Sequence, residues 1–357
     1  MAIVSLSTYD IRIDGGSIDE VGSIVRSAAR AHRYAIITDN VVAPLLAKRV
    51  VASFGETRVD VLSIPAGEHH KSRETWSDLT DQLLRLGFGR DSAIVALGGG
   101  MIGDLAGFVA ATYLRGIPYV QVPTTLLAMV DASVGGKTGV DTDLGKNLVG
   151  AFHQPAAVVI DPEVLATLPL VHLQCGLAEA IKHGVVADAG YFDLIAEQAE
   201  RLVGSFDAAA LEPLIVRGAR IKAQVVSQDE RETGRRKILN FGHTLGHAIE
   251  FASGYSLLHG QAVSCGMVLE ARLAEAIAIA EPSTTRRIAQ VLENVGLPTG
   301  RPLPASPEIL LGLTHGDKKV RGGAVEYALP RWIGAMADGG GSWTVPVPDD
   351  VVMKVLR

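Results

Sequence analysis

Cysteine is scarce in this chain: only Cys175 and Cys265 occur, both in apolar stretches of helical character. That excludes a disulfide framework and suits two buried thiols in a reducing compartment. A basic surplus is missing too. Lys and Arg number 33 against 39 Asp and Glu, a formal net charge of -6, so counterion release cannot drive general nucleic-acid binding. Any anionic ligand must be held by a local cluster of cations. No apolar run approaches the ~20 residues that cross a bilayer. The opening residues, MAIVSLSTYDIRIDGG, lack the basic start and small-residue cleavage site of a secretory signal. They read as a first β-strand, and the expected location is the cytoplasm, with no membrane and no nucleic acid as partner.

What is present suits a soluble globular protein. With 357 residues, 48% hydrophobic and 20% charged, the chain exceeds one ordinary domain and fills two. Short β-rich runs at 34–38, 59–64, 93–97, 119–122 and 157–160 alternate with helix-compatible stretches. One such stretch is 73–86, with Ser72 as its N-cap. This pattern predicts an α/β sheet of largely parallel strands, covered on both faces. After Asp161-Pro162 the texture changes, and from about 173 to 295 the chain is rich in Ala, Leu and Glu with helical periodicity. The expectation is an α/β domain over 1–162 followed by an all-α, helical domain over 163–357.

The run at 93–97 leads into Gly98-Gly99-Gly100-Met101-Ile102-Gly103-Asp104 and then the helix-like LAGFVAATYL. Glycines at a strand end let the backbone approach a diphosphate, and the following helix offers N–H groups and a positive dipole end. The run satisfies G-x-G-x-x-G, yet a dinucleotide fingerprint belongs to the first strand–helix turn. A tight turn with close helix–sheet packing competes as an explanation. A second loop, Pro65-Ala66-Gly67-Glu68, follows another strand, so the two could serve one dinucleotide.

Asn240-Phe241-Gly242-His243-Thr244-Leu245-Gly246-His247 opens a helical segment whose two histidines, four apart, share a face. His259 starts a further helical run. Glu179 and Lys182, three apart, interrupt an apolar stretch and project from one side. Two or three histidines with one carboxylate suit a divalent metal with an open position. Spacing leaves open which histidines bind, with His183 competing against His243, His247 and His259. The alternative is that each is a hydrogen-bonded core or surface residue, and Glu179–Lys182 a helix ion pair.

Cations recur in glycine-containing stretches: Lys137 in Asp131–Gly139, Lys146 beside Asn147, Arg235-Arg236-Lys237, Lys222 on a predicted helix, and Asp317-Lys318-Lys319. Lysine supplies a compact charge for phosphate, and arginine grips carboxylate or phosphate through two parallel bonds. A substrate bearing both groups needs several of these.

At this point the chain resembles the 3-dehydroquinate synthase family, from about Ala66 to Lys319. The matching stretches are GGGMIGDLAGFVAATYLRG, QVPTTLLAMVDASVGGKTGVD, LGKNLVGAFHQP, CGLAEAIKHG, DERETGRRKILNFGHTLGHAIE and LLHGQAVSCGM. The resemblance implies an N-terminal Rossmann-like NAD-binding domain, a C-terminal helical metal- and substrate-binding domain, an active site in the cleft between them, and a homodimer. It assigns zinc (or cobalt) to Glu179, His243 and His259. It assigns NAD to Ala66, Gly67, Glu68, His69, His70, Lys71, Gly100, Met101, Ile102, Gly103, Asp104, Thr124, Thr125, Asp131, Lys137 and Lys146. Substrate contacts fall on Lys137, Asn147, Lys182, Lys222, Arg236, Asn240 and His247, the last on the phosphate side. Glu232 matches a catalytic acidic residue near the substrate, and Arg115 an arginine that reaches the neighbouring subunit's phosphate site.

Pro169-Leu170-Val171-His172-Leu173, His183 and the His69-His70 pair depart from the commonest family pattern without removing a residue assigned to chemistry. Sister cyclases that use sedoheptulose 7-phosphate alter the Gly-Gly-Lys stretch and the second histidine of the G-H-x-x-G-H run. Deoxy-inosose synthases rewrite the surroundings of Lys137. Here Gly135-Gly136-Lys137-Thr138-Gly139, Arg236 and His247 stand intact. The implied substrate is therefore a carboxylate-bearing sugar-acid phosphate, 3-deoxy-D-arabino-heptulosonate 7-phosphate or its amino analogue. A metal-dependent polyol dehydrogenase and a non-catalytic NAD-binding regulator are the competing classes.

Overall fold

The computed structural model describes residues 1–142, 145–315, 320–321 and 324–357. The cationic cluster Asp317-Lys318-Lys319 lies outside the described residues. The chain divides into two compact units, Met1–Leu168 with Leu211–Ala223, and Pro169–Ala210 with Gln224–Arg357.

The first unit is built on a seven-stranded sheet. Its strands are β1 (Ala2–Ser5), β2 (Asp10–Ile13), β3 (Arg33–Asp39), β4 (Val59–Ile64), β5 (Ser92–Gly98), β6 (Tyr119–Pro123) and, after the β7–β8 hairpin described below, β9 (Ala157–Ile160). The order across the sheet is β1-β2-β9-β6-β5-β3-β4. Only the β1–β2 pair is antiparallel; every other neighbour runs parallel. Strands covered on both faces cannot afford alternation, and β3 and β5 accordingly bury every residue. The helices of this unit include α1 (Val21–Ala28), α2 (Lys48–Ala52), α3 (Arg73–Arg85), α4 (Gly100–Thr112) and the middle of α7 (Ala208–Gln228). Ser72 caps α3 by accepting from the Thr75 N–H at 3.3 Å.

From β3 onward the chain places β4 on one side of that strand and then returns to place β5 on the other. This 2-1-3-4-5 order has its topological switch between β3 and β5, where ligands of open α/β sheets bind. The glycine turn after β5 therefore stands at the switch point, although β5 is the third strand of the parallel core.

The glycine-containing stretch around Lys137, for which the sequence pattern predicts no strand, forms an antiparallel hairpin of β7 (Lys137–Thr142) and β8 (Gly145–Phe152). Its glycines hide the strand pattern because they serve close approach rather than core packing. A Cβ on Gly150 would lie 2.1 Å from the Thr138 carbonyl oxygen.

The second unit is mostly helical. It holds α5 (Leu170–Ala187), α6 (Ala189–Val203), both ends of α7 (Ala208–Gln228), α8 (His243–Ala252), α9 (His259–Ala276), α10 (Thr284–Asn294), α11 (Pro307–His315) and α12 (Asp349–Leu356). α9 is the hub, packing against α5, α8, α10 and α12. Leu245, Ile249, Leu269, Leu273, Leu310, Val352 and Leu356 form one core across four of these helices. α5 is buried without interruption from Cys175 to Val186, so a carboxylate there meets protein on every side. Burial pushes both thiols, Cys175 and Cys265, above the usual cysteine range, in keeping with structural residues. Among the described residues no helix is long and apolar enough to cross a membrane.

Candidate active site

In the first unit the expected nucleotide residues gather at the carboxyl ends of β4, β5 and β6. Beyond β4, Ala66 donates its N–H to Asn40 Oδ1 at 2.9 Å, tying this loop to the end of β3. Gly67 holds φ at +119°, a conformation open to glycine and little else. Glu68, His69 and His70 form a short turn, their side chains outside the core. Lys71 is only 3% exposed, and its Nζ lies 3.0 Å from Glu68 Oε1, 3.1 Å from Asp104 Oδ2 and 3.7 Å from Asp141 Oδ1. Burial works against its charge, but Asp104, Glu68 and Asp141 outweigh that and hold it above the ordinary lysine range. Burial raises the Asp104 carboxyl, with Lys71 opposing the rise. This lysine binds the 66–71 loop, α4 and the hairpin into one support. Lys71→Met leaves Glu68, Asp104 and Asp141 without the buried cation they share. It should cost about 3 kcal/mol of unfolding free energy and weaken NAD binding, measurable by urea titration and calorimetry.

α4 starts at Gly100, with no side chain capping it. The first-turn N–H groups of Gly100, Met101 and Ile102 therefore point out of the helix end. Ile102 can contribute only its backbone, since its side chain is in the core. Close packing and an anion site coexist here: a Cβ on Gly98 would lie 2.7 Å from Ile102 Cβ, and one on Gly103 2.5 Å from Gln121 Oε1. Next to this turn Thr124 donates its N–H to the Gly98 carbonyl at 2.9 Å. Its buried hydroxyl has no hydrogen-bond partner among the described residues. Thr125 caps the following turn by accepting from Ala128 N. An open helix N-terminus beside an unsatisfied buried hydroxyl at the switch point fits a diphosphate.

The cations assigned by resemblance divide by role. Lys222 reaches from α7 to Asp131, donating to its carbonyl at 2.6 Å and pairing with Oδ1 at 3.0 Å. Lys146 Nζ lies 3.7 Å from Glu68 Oε1. Asn147, at φ +54°, donates its N–H to Asp141 Oδ1. Lys137 is exposed at the start of β7, after Gly136 at φ +64°. Arg115 also takes a positive φ, +71°, in the turn that ends α4, and the structure does not bring it to these strand ends.

The second unit assembles the metal set. Glu179 on α5, 1% exposed, presents Oε1 at 3.5 Å to both His243 Nε2 and His259 Nε2. Ligand atoms of these three residues lie within 4.8 Å of one another. His243 Nδ1 faces the Phe241 carbonyl at 3.0 Å and His259 Nδ1 faces Glu250 Oε2 at 3.4 Å. These outer contacts leave both Nε2 atoms turned toward Glu179. Two imidazoles and a carboxylate so oriented fit zinc or a similar divalent ion. His247, Glu250 and His259 make a second such group, while His183, fully buried on α5, joins neither.

Lys182 pairs its ammonium with Glu179 Oε2, both side chains almost wholly buried. Burial and the Lys182 charge drive the His243 pKa down to about 3, so this ring is neutral. Burial also disfavours charge on His259, but hydrogen bonds to Glu179 and Glu250 prevail and raise it to about 9.

Glycine seams hold these ligands together. A Cβ on Gly266 of α9 would lie 2.0 Å from the Gly242 carbonyl oxygen, and one on Gly260 2.4 Å from Cys175 Cα of α5. Fully buried Glu270 on α9 accepts from Gly242 N at 2.7 Å and Leu245 N at 3.0 Å, capping the start of α8. Ahead of α8, Asp229 accepts from the N–H groups of Thr233, Gly234 and Arg236. Its carboxyl is lowered, these bonds exceeding the effect of burial. In the same turn Arg236 donates to the Glu230 carbonyl, and Asn240 Nδ2 donates to Glu232 Oε1 at 2.6 Å. Asn240 and Glu232 are thus paired, and Arg236 is anchored separately in the same turn. Sequence reasoning missed Asp229, Glu250 and Glu270. Only Glu250 had a legible signal, standing three residues beyond His247 and seven beyond His243 on one helix face.

The whole chain superimposes on 2-deoxy-scyllo-inosose synthase, solved with carbaglucose-6-phosphate, NAD⁺ and Co²⁺, with a TM-score of 0.91 at 26% identity. That match covers 100% of this chain and 99% of the other. It also superimposes on 2-epi-5-epi-valiolone synthase from Streptomyces hygroscopicus subsp. jinggangensis, solved with NAD⁺ and Zn²⁺, at a TM-score of 0.86 and 29% identity. Here the coverage is 100% and 98%. Fold and site together define a sugar phosphate cyclase. Residues 61–175 match the model of the 3-dehydroquinate synthase N-terminal family and residues 176–320 that of its C-terminal family. The 3-dehydroquinate synthase of Pelobacter propionicus is 47% identical over 331 residues, 92% of each chain. The chain belongs to the 3-dehydroquinate synthase family, lyases of the shikimate pathway.

Proposed function

We propose that this chain converts 3-deoxy-D-arabino-heptulosonate 7-phosphate into 3-dehydroquinate and phosphate, working in the cytoplasm as a homodimer. The observation that carries the reading is the convergence of His243 and His259 Nε2 on Glu179 Oε1, joined to the open α4 N-terminus in the same chain. When bound, NAD would supply a transient hydride acceptor that returns the hydride after elimination, leaving no net redox change, and a divalent cation, zinc or cobalt, would supply a Lewis acid.

The chain's own residues supply binding, orientation and charge. First-turn N–H groups of Gly100, Met101 and Ile102, with the Thr124 hydroxyl, receive the NAD diphosphate. The support around Lys71 fixes the 66–71 loop against it. Glu179, His243 and His259 hold the cation. Arg236 grips the substrate carboxylate through two parallel bonds, with Asn240 and Glu232 steadying it. Lys137, Asn147, Lys182, Lys222 and His247 meet the phosphate and the reacting oxygens, where positioning contributes most of the rate. Phosphate leaves by elimination once the neighbouring C–H has been acidified, and the departing phosphate itself takes that proton. Ring opening and an internal aldol closure complete the carbocycle. Arg115 serves the phosphate site of the neighbouring subunit.

A phosphate-release assay tests this directly. The heptulosonate phosphate, its amino analogue and sedoheptulose 7-phosphate are offered in parallel with NAD. Phosphate should appear with the first, without net NADH. Preference for the amino analogue would move the chain to amino-dehydroquinate synthesis. NADH rising in step with product would make it a polyol dehydrogenase.

A further inference from the structure

The two histidines that flank Glu179 are held in different ways. His243 Nδ1 meets the neutral Phe241 carbonyl at 3.0 Å, within its own chain turn. His259 Nδ1 meets a carboxylate, Glu250 Oε2, at 3.4 Å, and Glu250 comes from a different helix, α8. Glu250 is only 4% exposed, so its charge is screened little by water. We infer that Glu250 is a positioning residue for the metal centre: it fixes the His259 ring with Nδ1 protonated and makes its Nε2 the more electron-rich imidazole donor. This rests on the reading that Glu179, His243 and His259 hold a divalent cation.

The physical argument starts from the ring. A neutral imidazole donates at one nitrogen and ligates at the other, so the group facing Nδ1 selects the nitrogen that can bind metal. A carboxylate accepts from Nδ1–H more strongly than a carbonyl does, and it pushes electron density toward Nε2. Placing this carboxylate on α8 adds a second effect. The helix that supplies His243 then also sets the orientation of His259 on α9, so the two donors cannot adjust independently. His247, one turn before Glu250 on the same face, has its ring centre 5.9 Å from that of His259.

The test measures zinc affinity by competition with a chromogenic chelator, for the wild type, Glu250→Gln and Glu250→Ala. Glutamine keeps the size and an acceptor but removes the charge, and about tenfold weaker binding is expected; alanine should lose about a hundredfold. The visible spectrum of the cobalt-loaded protein should shift in both variants. In nitrogen-15 spectra of the zinc form, the His259 Nδ1–H signal should move upfield in Glu250→Gln, a change that mere space filling would not produce. Where Glu250→Ala fails to fold, the isosteric glutamine variant decides. Wild-type protein that binds no stoichiometric zinc would overturn the metal reading itself. One zinc per chain, with variant affinities and spectra matching the wild type, would overturn only the role of Glu250. Two zinc ions per chain, with one lost in Glu250→Gln, would make Glu250 a ligand and likewise refute the positioning role.

Discussion

His243→Ala protein should pass a desalting column without retaining metal and should turn over at least about a thousandfold more slowly than the wild type. The ring supplies one of three convergent donors, with its Nε2 3.5 Å from Glu179 Oε1. Removing it leaves one imidazole and one carboxylate, and that carboxylate is already paired with Lys182. Losing several kcal/mol of Lewis-acid stabilisation corresponds to about three orders of magnitude in rate. The fold should persist, because the start of α8 is fixed by Glu270 through backbone groups and not by the His243 side chain. Metal content by atomic absorption, phosphate release and circular dichroism check the three parts. A metal-free His243→Ala protein with full activity would sink the assignment of this site.

Gly266→Ala is the smallest substitution with a large expected cost. The added methyl would stand 2.0 Å from the Gly242 carbonyl oxygen, 2.7 Å from Gly246 N and 2.9 Å from Gly246 Cα. All three are main-chain atoms, so no side chain can swing aside. α8 and α9 must separate, at a cost of about 3 kcal/mol or more. A fall in Tm on the order of 4 °C follows for a chain of 357 residues. The same separation draws His243 away from His259, so zinc affinity should fall in parallel. Wild-type Tm and zinc affinity in Gly266→Ala would show that the two helices have slack that these distances deny.

Much of the first unit was legible because its strands carry their own signal. The apolar runs at 34–38 and 93–97 stand within β3 and β5, and Ser72 caps α3 as its residue type suggests. The β7–β8 hairpin was not legible. Its glycines are there for backbone approach, and they erase the alternation by which a strand is read. The glycine turn looked misplaced until the sheet order put β5 at the switch point, which chain order alone does not reveal. In the second unit the four-residue spacing of His243 and His247 placed both on one face. The convergence of α5 and α9 on that face is a tertiary fact. Glu270 was hidden for the same reason: a carboxylate in an apolar helix acquires meaning only when the uncapped start of another helix lies against it.

The glycine seams have a consequence for how the protein handles its ion. Backbone contact fixes the spacing of α5, α8 and α9, so the three donors should be arranged before any cation arrives. Chelation then subtracts a reagent without dismantling a domain, unlike small metal-folded modules whose stability is the binding energy itself. A stripped sample should refill at the pace of ion delivery, with no refolding delay. In the cell, the active fraction of such a protein would follow the free divalent pool from moment to moment.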